Sequence, residues 1–214
     1  RVGIALAKEV KAKKRNMLLG PVILMHRIPQ AGRNAESYSE DPHLAGTIAT
    51  SYIKGIQSLN VPATADFIGA KTTEYHGHHY DARLSERTLH EIYLPPFRMA
   101  VEEGNVWGIM TPYNRVNGVR AANNHYLLWE ILKKKWGHQG LVITDWMGVQ
   151  NFRASVYAGL DLDMWGGRKY TVENITEIYE TAANDPKHPG IKLYAKRLDE
   201  SVRRILRVMF ANGM

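Results

Sequence analysis

Cysteine is missing from all 214 residues. A disulfide scaffold, a thiolate metal site and a cysteine nucleophile are therefore excluded. Long apolar runs are missing too, since none approaches the roughly 18–20 residues needed to span a bilayer. No glycine-rich dinucleotide loop follows the first apolar run, where Gly32 stands alone. A Rossmann nucleotide site thus has little support. What remains is ordinary for a folded domain: 44 % apolar and 23 % charged residues. Neither a disordered tail nor a collagenous or low-complexity rod has that composition.

The 28 basic and 21 acidic side chains leave a formal charge of +7. Such a balance suits a nucleic-acid partner only where cations gather on one face. Here they are dispersed: Lys11, Lys13, Lys14 and Arg15; Lys133, Lys134 and Lys135; Arg203, Arg204 and Arg207. Each group falls in or at the end of an expected helix, and no aromatic residues interleave with them as a stacking platform requires. A solvated basic surface is the expectation, with no nucleic-acid or membrane partner. Residues 1–10 are amphipathic, with Val2, Ile4, Leu6 and Val10 among Lys8 and Glu9. That is the pattern of a helix interior rather than a secretory leader. The chain is expected to start partway through a longer protein.

Short apolar runs alternate with helical spacing. Strands are expected near residues 16–23, 62–69, 106–113, 140–146 and 160–164. Helices are expected over 42–60, 85–104 (Ser85 as cap), 123–135, 149–158, 172–182 and 198–209. The clearest strand is GLVITDW at 140–146, whose consecutive Leu141, Val142 and Ile143 suit a strand buried on both faces. Strict alternation argues for parallel strands joined by right-handed crossovers, in an open sheet or part of a barrel. A full (β/α)8 barrel typically takes ~250 residues, more than are present.

Polar residues gather where each strand ends: Arg27 and Arg33, Asp66, Tyr113 and Asn114, Asp145 and Trp146, Asp163 and Trp165. Ligands bind at that edge in both architectures. Carboxylates and amides for hydroxyls, with aromatic faces for a ring, suit a sugar. Asp145 could attack an anomeric carbon or could cap the helix starting near Val149, and spacing leaves both open. Tyr113 could bond a nucleophilic carboxylate or be a half-buried core tyrosine. Arg33 could clamp hydroxyls, though an ion pair with Glu36 or Glu40 is the simpler reading. His76, His78 and His79 match no helical metal-ligand pair and read as a polar loop near the site mouth. No metal or cofactor is expected.

Several segments taken together resemble a known family. They are GRN at 32–34 with YSEDP at 38–42, SERTLHEIYLPPF at 85–97, MTPYN at 110–114 with Asn117-Gly118, WG at 136–137 with GLVITDW at 140–146, AGLDLDM at 158–164, and LDESVRRIL at 198–206. In that order they resemble the catalytic barrel domain of glycoside hydrolase family 3. The resemblance implies a (β/α)8 barrel incomplete at its N-terminal strands, with residues 1–214 forming that single partial domain. It implies a retaining β-glycosidase, β-glucosidase-like, acting on a carbohydrate substrate. Asp145 would be its nucleophile, Trp146 a wall of the sugar site, Tyr113 a support for the nucleophile and Arg33 a hydroxyl clamp. Where the family carries a Lys-His pair, this chain has Ala65 and Asp66 before Phe67. Asp66 could accept hydroxyl hydrogen bonds, but two donors and a charge are missing. A non-catalytic carbohydrate-binding barrel is the alternative that this departure raises. The early barrel segment, with a further substrate-binding aspartate, is expected upstream of Arg1. The acid/base residue is expected from a following C-terminal sandwich domain, so residues 1–214 alone are expected to be weak or inactive.

Overall fold

The computed structural model describes residues 1–74, 80–185, 187 and 190–214. Helix α1 (Val2–Ala12) leads into strand β1 (Leu18–Val22), and α2 (Pro42–Gln57) returns the chain to β2 (Ala63–Asp66). A two-residue strand, β3 (Asp81–Ala82), precedes α3 (Glu86–Thr88), a wider π-type stretch Leu89–Tyr93, and α4 (Pro95–Glu102). Next come β4 (Gly108–Thr111) and a hairpin of β5 (Arg115–Val116) and β6 (Val119–Arg120). A second π-type helix, Tyr126–Lys135, leads to β7 (Leu141–Thr144), and α5 (Phe152–Ala158), α6 (Val172–Asn184) and α7 (Ile191–Ala211) follow. No helix among the described residues is long and apolar enough to cross a membrane.

The main sheet has the order β1-β2-β4-β7, and every pairing in it is parallel. This is the α/β architecture expected from the alternation, with sequential strands side by side as in part of a TIM-type barrel. Local chemistry sets the helix starts. Asp41 accepts the Leu44 N–H at 2.8 Å with Pro42 in the first turn, and Ser85 accepts the Thr88 N–H at 3.1 Å. Pro21 sits in β1, which among the described residues pairs with β2 alone. A strand at the sheet's edge tolerates the missing donor that a central strand could not.

Alternate strand residues serve opposite sides. Ala63, Ala65, Ile109 and Val142 join the large cluster beneath the helices, with Ile53, Phe97 and Leu128. Met110, Leu141 and Ile143 join a smaller inner cluster with Leu24, Phe67 and Val208. The end of α7 therefore closes the inner side of the sheet.

The structure departs from the sequence reading in places and adds to it in others. The fifth strand over 160–164 shrinks to a single bridge between Leu162 and Ile143. Its neighbour Asp161 is the cause, because its carboxylate rather than a backbone carbonyl takes the Val142 N–H, at 2.8 Å. The Asn117-Gly118 turn closes the β5–β6 hairpin, with both residues at positive φ (49° and 89°), and β3 pairs beside it to form a second small sheet. An Asn-Gly pair suits that turn because both positions need left-handed backbone. Nor are the basic clusters all solvated. Lys133 is buried against Asp161 at 2.7 Å, and buried Arg204 donates to the carbonyls of His138 and Gly140 at 2.6 and 2.8 Å.

His138 beside this staple is fully enclosed, and burial, reinforced by the Arg204 charge, lowers its pKa to about 3 from an ordinary 6.5. Below the ordinary value the unfolded chain takes up a proton that the folded chain refuses. Stability therefore falls as pH drops from 6.5 toward 3, by at most about 1.4 kcal/mol per pH unit from this group. Urea midpoints measured across that range check this, and His138→Gln is expected to flatten the acid limb.

Candidate active site

Asp145 lies one residue beyond β7, at its carboxyl end. Leu141 and Ile143 are inner-side residues, so alternation brings Asp145 to the same side. Its backbone N–H continues the ladder to the Thr111 carbonyl at 3.1 Å, and its Oδ1 accepts the Trp146 N–H at 2.8 Å. The Tyr113 hydroxyl donates to its carboxylate; burial first, and this bond to the anion second, push the phenol above its ordinary range. The carboxylate is buried and held from two directions. The helix-cap alternative fails, because α5 begins at Phe152 and Asn151 caps it, accepting the Ala154 N–H at 3.0 Å.

Asp66 ends β2 on the inner side, opposite in direction to Ala63 and Ala65. It is 4 % exposed, and its Oδ1 has no hydrogen-bond partner among the described residues. Burial, then the charge of Asp145, raise its pKa well above the usual carboxylate range, against the pull of Arg33. Burial and the neighbouring charge thus favour the protonated form of Asp66, which would donate as well as accept. Ala65 is enclosed beneath the helices and takes no part.

Arg33 stands over the Phe67 ring at 4.8 Å, with its guanidinium on Glu36 at 2.6 Å and 3.9 Å from Glu74. The ion-pair reading of Arg33 therefore holds, and its cationic face also lies within the electrostatic reach of Asp145. Arg27 lies over Tyr93, whose ring belongs to the helix-side cluster. Trp146 is 41 % exposed beside Asp145, and Trp165, 67 % exposed, meets it with ring centroids 5.9 Å apart and planes tilted by 41°. His76, His78 and His79 lie outside the described residues.

Sequence reasoning passed over three contributors. Trp165 was visible only as a strand-end residue, and nothing in spacing pairs it with Trp146. Lys71 and Glu74, joined at 2.7 Å, sit in the loop after β2. The available signal was a lysine directly after the apolar FIGA run. A cavity of about 540 Å³ opens at the other end of the sheet, lined by Val101, Trp107, Trp136, His138 and Gly140. It is remote from the strand ends that carry Asp145, since Trp107 and Gly140 precede β4 and β7.

The sequence profile of the glycosyl hydrolase family 3 N-terminal domain matches residues 1–208. The chain belongs to glycosyl hydrolase family 3. Among curated relatives it is 38 % identical over 209 residues to β-glucosidase B of Emericella nidulans, covering 97 % of this chain and 24 % of that protein. It is 39 % identical over 210 residues to thermostable β-glucosidase B of Acetivibrio thermocellus, covering 98 % of this chain and 27 % of that one. The β-glucosidase of Kluyveromyces marxianus, solved with glucose, superposes with a TM-score of 0.90 at 34 % identity, over 99 % of this chain and 25 % of that structure. The family 3 chain thus spans about a quarter of the length of the curated relatives it matches.

Proposed function

We propose that this family 3 domain carries the nucleophile and sugar-binding wall of a retaining β-glycosidase that removes terminal, glucose-like β-linked residues. The observation that carries the reading is Asp145, a buried carboxylate at the carboxyl end of β7, oriented by the Tyr113 hydroxyl and its own Oδ1 bond. In the first step a carboxylate oxygen of Asp145 bonds to the anomeric carbon as the glycosidic C–O bond breaks. An acid outside residues 1–214 protonates the leaving oxygen. Water, deprotonated by the same group, then displaces Asp145, and two inversions give net retention. Tyr113 steadies the carboxylate, Arg33 and Asp66 meet sugar hydroxyls, and Trp146 forms one wall. No cofactor or metal enters these steps.

A 2-deoxy-2-fluoro glycoside with a good leaving group tests the reading in the full-length protein. A stoichiometric adduct mapped to Asp145 is expected. The second reading, a sugar-binding barrel without chemistry, is favoured by Ala65 and Asp66 at the positions of the usual Lys-His pair. It predicts no adduct but retained sugar binding.

Beyond Trp146, the exposed Trp165 ring adds a second tilted face, suited to the leaving group. Trp165→Ala is expected to raise KM for a disaccharide about 5- to 30-fold, the equivalent of about 1–2 kcal/mol. Its melting temperature should stay put, since the indole is largely solvent-exposed. Steady-state kinetics alongside a melting curve check both.

A further inference from the structure

We propose that Lys71 is the cationic hydroxyl-binding group of the sugar site, replacing from the following loop the lysine that β2 lacks. The inference rests on the proposed sugar chemistry. The chain leaves β2 through Phe67 and Ile68, whose N–H reaches the Met110 carbonyl at 2.9 Å, then turns at Gly69 with φ +113°. Gly69 makes the turn possible, since that backbone region is strained for any side chain.

The loop is clamped on either side of Lys71. The Ala70 carbonyl accepts from Asn114 Nδ2 at 3.3 Å, and the Thr72 N–H donates to the Tyr80 hydroxyl at 3.0 Å. The side chain between them is 1 % exposed. A lysine is seldom enclosed to that degree unless its charge is compensated.

Its surroundings among the described residues are two aromatic rings and one carboxylate. Nζ lies 4.7 Å from the Phe67 ring centre and 5.9 Å from that of Tyr113. Phe67 carries Arg33 as well, and Tyr113 holds Asp145, so one ring separates the ammonium from the nucleophile. Ring faces stabilise a cation without consuming its N–H groups. Among the described residues the ammonium meets one carboxylate, Glu74 at 2.7 Å, whose side chain is 40 % exposed. Three donors and one such acceptor leave capacity for the hydroxyls of a neutral sugar ring. The cation is fixed in place by Glu74 and aimed by the two rings, so it arrives ordered.

The test compares the full-length wild type with Lys71→Met, Lys71→Arg and Glu74→Gln on a nitrophenyl β-glucoside and its monodeoxy analogues. Lys71→Met is expected to lower kcat/KM on the parent sugar about 10- to 150-fold, as for loss of one charge-assisted hydrogen bond. At one ring position the wild-type penalty for removing a hydroxyl should collapse toward unity. Lys71→Arg should restore part of that penalty, and Glu74→Gln should keep it. Unchanged deoxy discrimination in Lys71→Met and Lys71→Arg, with only a shifted melting temperature, overturns the inference and makes Lys71 a loop staple. If the wild type binds glucose without turnover, the catalytic reading fails, and calorimetric binding of the deoxy sugars reads the same discrimination. A wild type that neither turns over nor binds these sugars overturns both.

Discussion

Asp145→Ala in the full-length protein is expected to cost at least about a thousandfold in kcat on an aryl β-glycoside, because the proposed covalent route loses its nucleophile. The substitution leaves the Trp146 N–H and the Tyr113 hydroxyl without their shared acceptor. Both groups are at a strand end, beside the partly exposed Trp146 ring, so water can replace the lost bonds. A folded but inactive protein is therefore the expected product, with a circular dichroism spectrum like that of the wild type. Asp145→Asn should be equally inactive while keeping the amide shape. A small anionic nucleophile such as azide fits the space freed by Ala. It should restore turnover of an activated substrate and give a glycosyl azide of inverted anomeric configuration. Product configuration read by NMR separates loss of the nucleophile from collapse of the pocket. Wild-type turnover in Asp145→Ala would remove Asp145 from the mechanism.

The second large effect concerns stability and lies away from the site. Lys133 and Asp161 are paired at 2.7 Å with side chains 2 % and 0 % exposed. Asp161 also accepts from Ser201 Oγ and the Val142 N–H, both at 2.8 Å. One carboxylate thereby ties the π-type helix Tyr126–Lys135, strand β7 and helix α7 together. Lys133→Met removes the counter-charge and leaves the carboxylate enclosed. Removing one partner of a buried pair costs about 3–5 kcal/mol. For a domain of this size that is a fall of roughly 6–20 °C in melting temperature. The double variant Lys133→Met with Asp161→Asn should recover a substantial part, because the amide oxygen can accept the Val142 N–H while its NH2 donates to Ser201 Oγ, without a buried charge. Urea denaturation of the four proteins in a cycle yields the coupling. A Lys133→Met protein as stable as the wild type would show that the carboxylate finds another partner.

How far the sequence could be read varied with the kind of signal. β7 was plain because four consecutive apolar or β-branched residues are buried on both sides. Asp145 was plain only as a strand-end carboxylate: spacing left nucleophile and cap open, the resemblance favoured the nucleophile, and the structure removes the cap because Asn151 caps α5. Residues 160–164 misled because LDLDM has strand-like alternation, while the ladder acceptor there is the Asp161 side chain, which no pattern reveals. Lys133 and Arg204 were read as surface charges because their partners lie 28 to 66 residues away. Helix α7 begins at Ile191 rather than near 198, since its first turns are held by packing of Ile191 and Tyr194 rather than by a strong helical stripe. Lys71 escaped for the same reason as Lys133: a lysine looks solvated until the rings around it are placed.

The alternation along β2 and β7 also polices folding. Ala65 and Val142 are pressed under the helices, while their neighbours Asp66 and Ile143 face inward. A slip of one residue in the pairing of β2 would exchange the two sets, forcing the Asp66 carboxyl into the apolar layer and turning Ala65 toward the candidate site. A like slip in β7 would drive Asp145 beneath the helices, where an unpaired carboxylate is costly. The groups proposed to do the chemistry are thus the ones that penalise the neighbouring wrong register. In this domain, misaligned strands and a misassembled active site are one and the same error, and the fold discards both together.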